Sequence, residues 1–481
     1  MPVLILLGCF LLLLLLLLGA AVIHTLLIPR KKSTYQPPEA DEEAFRLAEK
    51  LSRMVQIPTV SIPETDQREL FLRFHRLLEE LFPLVHQHLE KIEVDGNLLY
   101  CWKGQRHDHP LVLMSHQDVV PAEGEWLHDP FSGDIADGLV WGRGTSDTKC
   151  TVMAFFQAVE ELLTQGVTPP QDVYLSSSCT EEWAGDGCPK LVELLEKRGV
   201  RPFLVCDEGG GIITEPIGGI PGNFAMVGVF EKGKADILLT ARSHGGHASA
   251  PKKGSPIARL AAFVHQLETR DPFRRRMSGE VSAMFRTLAP YASFPLRLVF
   301  SNLWLFRPVL LRVLPMISPQ ADAMLKTTVA FTMQKGSDAF NVLPQKATLG
   351  INARFIPHQG MEESLAILRK LAEKYDLEME VMHGSEPSRA VDIHGQGFQL
   401  VQTVIGEAFP GCAGSPYVMT GATDARCYER ICDNVVRFAP VVYGPEQMKG
   451  MHGLNETIAV NCLPGAVAFY RRLILAMDRV D

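Results

Sequence analysis

The 481-residue sequence has no CxxC pair and no regular cysteine spacing; its ten cysteines are scattered, with Cys9 near the N-terminus. That excludes a disulfide scaffold and a structural zinc knuckle. It has no basic excess either: 47 Lys and Arg stand against 55 Asp and Glu, a formal charge of −8. A phosphate-backbone binder needs that excess, so nucleic acid is excluded as a partner. Glycine (39) and proline (32) are at ordinary levels, which excludes collagen-like and linker-like chains. No internal repeat is present. What is there is 46% hydrophobic residues, too many for a disordered chain. The length exceeds the roughly 250–300 residues at which a single core stops growing, so more than one domain is expected.

Charge is most conspicuously missing at the N-terminus. Residues 3–28 contain no acidic or basic side chain apart from His24, and 11–18 is unbroken leucine. About 20 apolar residues suffice to cross a bilayer, and a soluble helix would show polar residues at helical spacing. Two readings remain open: a signal peptide, with Gly19 and Ala21 at cleavage positions, or a membrane anchor over 3–28. The chain is expected in the secretory pathway, as a secreted protein or as an anchored one. The basic flank Arg30-Lys31-Lys32 favours a cytosolic body if the segment is an anchor. Asn455-Glu456-Thr457 is an N-glycosylation sequon, which adds to the case for secretion.

Residues 29–40 read as a polar linker. After it, Ala44, Leu47, Leu51 and Met54 share one face of a helix over 42–55. Short apolar strands then alternate with helices: strands at 110–115, 172–178 and 203–206, and a helix at 150–165. This alternation predicts an α/β domain with a mixed sheet. From 233 the order becomes strand 235–241, helix 256–267, strands 328–334 and 347–355, helix 361–375 and strand 377–382, a β-α-β-β-α-β unit of ferredoxin-like type. The expected organisation is an α/β domain built from two stretches of chain, 41–232 and 387–481, with a small domain inserted between them at 233–386. Within the insert, residues 294–317 carry an apolar excess broken by Arg297, Arg307 and Arg312. They read either as buried helices or as a surface that meets lipid or an acyl chain.

The chemistry-bearing residues cluster at strand ends. The strand at 110–115 runs into His116-Gln117-Asp118, where a His and an Asp two apart on extended chain point the same way. Asp118 is thereby placed to fix the tautomer of a metal-binding imidazole. Asp147 stands just before the 150–165 helix, as a helix cap or as a carboxylate bridging two metals. The strand at 172–178 delivers Glu181-Glu182 and the strand at 203–206 delivers Asp207-Glu208, each at the sheet end where α/β sites are built. His452 offers a second imidazole near the C-terminus. Two zinc ions sharing one aspartate need this inventory of imidazoles and carboxylates.

In combination these motifs resemble the di-zinc metallopeptidase family of aminoacylase, carboxypeptidase S and succinyl-diaminopimelate desuccinylase. The matching segments are SHQDVVP (115–121), GRGTSDTK (142–149), TEEWAG (180–185), DEGG (207–210), GGHASAP (245–251), FNVLP (340–344), INARF (351–355), TGATDAR (420–426) and MHGLNE (451–456). They extend over nearly the whole chain after the leader. The resemblance implies a zinc-exopeptidase-like α/β catalytic domain with an inserted ferredoxin-like lid that also dimerises. It implies two Zn2+ held by His116, Asp147, Glu182, His452 and either Asp207 or Glu208, with Asp147 bridging and Asp118 orienting His116. Glu181 is implied as general base, and His247 as an oxyanion-stabilising group reaching a partner's site in dimers. Asn341, Arg354, Gly421 and Thr423 are implied as substrate contacts.

The leader, the phrase SNLWLF (301–306) and the apolar insertion are similar to family members that reversibly join long-chain fatty acids to amino acids. The implied partners are a small-molecule substrate (fatty acid, amino acid or N-acyl amino acid), a second copy of the chain and a lipid or lipoprotein surface. A dipeptidase or carboxypeptidase of the same family, and a lipid carrier without catalysis, are the alternatives.

Overall fold

The computed structural model describes residues 2–65 and 67–480. Before the insert the chain forms β1 (Glu90–Val94), β2 (Asn97–Trp102), β3 (Arg106–Met114), β4 (Gln171–Ser177), β5 (Leu204–Asp207), β6 (Gly211–Thr214) and β7 (Asn223–Glu231). The insert contributes β8 (Gly233–Arg242), β9 (Thr328–Lys335), β10 (Lys346–Phe355) and β11 (Glu378–Ser385). The return adds β12 (Ala413–Met419), β13 (Val435–Arg437) and β14 (Val442–Tyr443).

Ten strands form one mixed sheet in the order β1-β2-β4-β3-β5-β13-β7-β6-β14, with β12 beside β7. Its centre, β4-β3-β5-β13, is parallel. Both faces are covered, which is why β3 reads as an unbroken apolar run rather than an alternating one. Leu111 and Leu113 pack with Phe155 and Phe156 of the helix Cys150–Thr164 on one face. Val112 and Met114 pack with Leu191 and Leu195 of the helix Gly187–Lys197 on the other. Emptying one of these fully buried leucines to alanine costs about 2–5 kcal/mol. The helix Glu42–Val55 begins where Asp41 accepts from the Ala44 N–H at 2.9 Å, and it buries the face expected from its spacing.

The insert's four strands pair antiparallel in the order β9-β10-β8-β11, with the helices Pro256–Thr269 and Met361–Lys374 packed on them. This is the ferredoxin-like arrangement expected.

Residues 277–325 depart from that lid. Met284, Phe285, Phe300, Leu303 and Leu310 join the core of the catalytic domain, not the lid's own core. Contiguity between two lid strands assigned this stretch to the lid; packing assigns it elsewhere. The helix Phe294–Ser301 meets Leu303–Ile317 at 110°. The elbow's first helix touches the body near Gly219, with Ser293 N–H donating to Gly219 O, and Tyr291 just before it stands edge-on to Phe224. That is the Asn223 end of β7, about 26 Å along the strand from Glu231 at 3.3 Å per residue.

The N-terminal helix Pro2–Leu27 is, among the described residues, the single continuous helix long and apolar enough to cross a membrane. The polar segment after it is strapped down: Lys31 N–H donates to Pro290 O, Ser33 Oγ to Asn223 O and Thr34 N–H to Gly411 O. Tyr35 is buried edge-on against Phe409.

Candidate metal centre

The cluster assembles at the C-terminal ends of β3, β4 and β5 and at the turn before the helix Cys150–Thr164. His116 leaves β3 buried, its Nε2 3.0 Å from Asp147 Oδ1 and its Nδ1 2.9 Å from the backbone oxygen of Asp118. The Asp118 carboxylate lies 3.3 Å from the same Nδ1. It also accepts from Ser61 Oγ at 2.6 Å and from the Glu181 and Glu182 N–H groups at 3.3 and 3.2 Å. Gln117, between the two, points the other way, with Oε1 3.0 Å from His75 Nε2 and Nε2 donating to Gly96 O.

Asp147 is presented by a turn that only glycine permits at Gly144 (φ 89), where a Cβ would come within 2.7 Å of Val119. The second imidazole, His452, sets Nε2 3.0 Å from Asp147 Oδ2 and 3.1 Å from Glu182 Oε2. Two donor groups result: His116, Asp147 and Glu208, and Asp147, Glu182 and His452, the ligand atoms of each lying within 4.8 Å of one another. Asp147 belongs to both.

Asp207, the other candidate on the DEG turn, falls in neither group. Neighbouring residues at a strand end face opposite ways, and it is Glu208 that turns to His116 and Asp147. Asp207 Oδ1 instead accepts the Glu208 N–H at 2.8 Å, and its Oδ2 is buried without a partner.

The donor set fits divalent metal. Two imidazoles and three carboxylates match zinc chemistry, and tetrahedral bonds of about 2.0–2.1 Å put adjacent ligand atoms roughly 3.3 Å apart, close to the 3.0–3.1 Å separations here. Electrostatics agrees. Burial pushes the Glu181 and Glu208 carboxyls well above the usual range and raises Glu182 as well. Burial, reinforced by Asp424, carries Asp207 up to about 7. Asp147 goes the other way: burial opposes ionisation, but the His116 and His452 imidazoles hold it below the carboxylate range. The Asp147 and Glu182 carboxylates push His452 up to about 10. So many desolvated carboxylates around two imidazoles call for added positive charge.

Several supporting residues carried no assigned role in the sequence. Glu456 is buried and accepts from Ser146 N–H at 2.8 Å, Asp147 N–H at 3.0 Å, Gly144 N–H at 3.1 Å and Arg143 at 2.7 Å. It fixes the turn that carries Asp147, and its one signal was its place three residues after His452-Gly453. The sequon Asn455 lies in this same turn, its side chain accepting from the Leu127 N–H while Thr457 is buried. Lys149 is buried and donates to Met54 O and Ile57 O. The buried Cys188 and Asp424 form a further group with the half-buried Cys427, where Asp424 meets Ser178.

The remaining candidates lie around this core. Glu181 follows the strand end, and its carboxylate makes no hydrogen bond with the protein among the described residues. Arg354 is half-buried and opposite Lys234 in the β8–β10 register. Lys234 is lowered by burial and by Arg426 and Arg354, with Glu181 acting in the opposite sense, so the three cations and Glu181 share one region. Thr423 is buried with its hydroxyl donating to Glu231 at 2.5 Å, while Gly421 faces open space. His247 and Asn341 sit together on an exposed two-stranded ribbon, where Asn341 O accepts the Ala248 N–H. In the single chain His247 contacts Ser249 and stands apart from both donor groups.

Comparison with known proteins follows the same line. The sequence pattern described as "Peptidase family M20/M25/M40" matches residues 112–476. The chain is 36% identical over 447 residues to the N-fatty-acyl-amino acid synthase/hydrolase PM20D1 of Xenopus tropicalis, covering 91% of this chain and 87% of the relative. It is 34% identical over 442 residues to a probable carboxypeptidase S-like protein of Dictyostelium discoideum, covering 89% and 85%. Among solved structures, an M20 family metallo-carboxypeptidase of Sulfolobus solfataricus superposes with a TM-score of 0.66 at 17% identity, covering 92% of this chain and 100% of the other.

Proposed function

The chain belongs to peptidase family M20/M25/M40, and from that premise we propose that it is a two-zinc amidohydrolase that hydrolyses, and in reverse forms, N-fatty-acyl amino acids. Membership makes it a metal-dependent hydrolase of amide bonds, and the lipid-carrier alternative therefore falls. In the proposed site His116, Asp147 and Glu208 would hold one zinc, and Asp147, Glu182 and His452 would hold the other. When bound, the pair supplies a polarising charge for the substrate carbonyl and lowers the pKa of water towards about 7.

The protein's own groups do the rest. Glu181 accepts a proton from the attacking water and delivers it to the departing amine nitrogen. Its place beside Glu182 and its free carboxylate support that role. Arg354, Lys234 and Arg426 supply the positive charge that a free α-carboxylate needs, and fork-shaped guanidinium groups suit it. Gly421, beside open space, leaves room for the substrate at the neighbouring turn. Thr423 supports the turn through Glu231 rather than by giving its hydroxyl to substrate. His247 and Asn341 reach a site in a dimer, the partner's ribbon completing the oxyanion pocket.

What carries the fatty-acyl assignment is the near full-length similarity to a relative of that activity. A second reading, a peptide-directed carboxypeptidase, is favoured by the position of the helix Phe294–Ser301, which packs at the Asn223 end of β7, about 26 Å along the strand from Glu231 at 3.3 Å per residue. Zinc-loaded protein assayed on oleoyl-phenylalanine and on a dipeptide ending in phenylalanine separates the two. The proposal expects the acyl amino acid to be cleaved with the higher kcat/KM and to form from oleate and phenylalanine. Preference for the dipeptide selects the carboxypeptidase.

A further inference from the structure

The N-terminal helix does not simply project from the body. Its last turns lie on the helix Phe294–Ser301, and Leu17, Leu18, Ala21, Val22, Thr25 and Ile28 form the stripe that loses solvent contact. At the centre of this contact is Asn302, fully buried at the elbow. Its Nδ2 has three acceptors within reach of its two hydrogens, Ala21 O at 3.1 Å, Thr25 Oγ1 at 2.9 Å and Leu298 O at 2.8 Å, while its Oδ1 lies 2.9 Å from His24 Nδ1. A buried amide stripped of such partners is costly. Removal of the leader at Gly19 or Ala21 would dismantle this socket.

Length fixes the level at which the socket stands. The 26-residue helix is about 39 Å long at 1.5 Å per residue, about 9 Å more than a hydrocarbon core of about 30 Å. Its final turns therefore reach the headgroup layer, and Asn302 holds the elbow there. The second elbow helix, Leu303–Ile317, turns Trp304, Val309, Val313, Met316 and Ile317 outward, with Met316 85% and Ile317 72% exposed. Arg307 and Arg312 stand exposed among them. The sequence has no acidic residue over 281–321, which holds four arginines, and none before Glu39, a stretch that includes Arg30-Lys31-Lys32. An apolar face mixed with cations and lacking acids matches an anionic lipid interface.

We propose that the leader is retained as a membrane anchor and that the elbow at 294–317 lies in the headgroup layer of the same bilayer, fastened to the anchor by Asn302. The catalytic body is then held close to the membrane instead of swinging on a tether, since the strap from Lys31 to Tyr35 leaves no free linker. This inference is independent of substrate choice.

The test uses the full chain. Made in the presence of microsomes, it should keep residues before Ala21, by intact mass, and resist alkaline carbonate extraction. Purified and placed in vesicles of phosphatidylcholine with a minor share of phosphatidylserine, it should lose fluorescence to brominated acyl chains. Trp304 is one of five tryptophans, so the expected loss is a minor part of the emission, and it should vanish in Trp304→Phe. A mature chain that starts beyond Gly19 and stays in the soluble lumen overturns the retained anchor. Quenching that is absent, or unchanged in Trp304→Phe, overturns the seated elbow.

Discussion

The backbone N–H of Glu182 donates to Asp118 Oδ2 at 3.2 Å. The aspartate that stands behind His116 thus also holds the turn carrying Glu181 and Glu182. One buried carboxylate joins the end of β3 to the end of β4, and with it one donor group to the other.

Asp118→Asn should therefore disturb both groups at once. Partners that orient metal ligands are typically worth about 10–100-fold in metal affinity or activity. Zinc titration against a competing chelator should show both sites weakened in that range; loss confined to one site would mean Asp118 serves His116 alone.

Glu181→Gln should leave the metal content at the wild-type level, because Glu181 belongs to neither donor group. Turnover should fall by about 10²–10⁴-fold, the usual contribution of a positioned acid–base group. Elemental analysis and single-turnover kinetics on one preparation check both halves.

Asp207 and Glu208 are adjacent, yet their variants should differ. Glu208→Gln should cost one equivalent of metal. Asp207→Asn should retain both, since the Asp207 carboxyl is aimed at its own turn and is carried up to about 7 by burial. The reverse pattern would return Asp207 to the ligand set.

Outside the two donor groups, Glu231 is buried between Arg437, Arg426 and the Thr423 hydroxyl at 2.8, 3.1 and 2.5 Å. Burial alone would raise it, but Arg437 and Arg426 hold it below the ordinary carboxylate range. A depressed acid contributes stability above its unfolded pKa of about 4.3, and that contribution fades as pH falls through the lower folded value. Glu231→Gln leaves Arg437 undercompensated and should cost about 3–5 kcal/mol near neutrality. In denaturant melts, the gap between wild type and variant should narrow below about pH 4.

Much of this was legible in the sequence, for reasons that differ by residue. His116, Glu182 and the 207–208 turn each end an apolar strand of the central sheet, and chain alternation made those strands readable. Asp147 and His452 were identifiable through the motifs around them. The choice between Asp207 and Glu208 was not, because it depends on which way the strand end twists. Glu456 stood inside the MHGLNE motif, but its hold on four donors of the Asp147 turn had no signal in the sequence. Residues 277–325 misled because they lie between two lid strands in sequence, whereas Phe285 and Phe300 find their partners in the catalytic core. Asn302 stood inside the SNLWLF phrase, but nothing local pointed to its partners in the leader, some 280 residues away.

Asp147 is the residue on which both donor groups depend. Metal content of Asp147→Ala, set beside wild type and Glu208→Gln, tests that dependence directly. Bridging predicts two equivalents in wild type, one in Glu208→Gln and close to none in Asp147→Ala. An Asp147→Ala protein that keeps a full equivalent would contradict a centre in which this aspartate serves both ions.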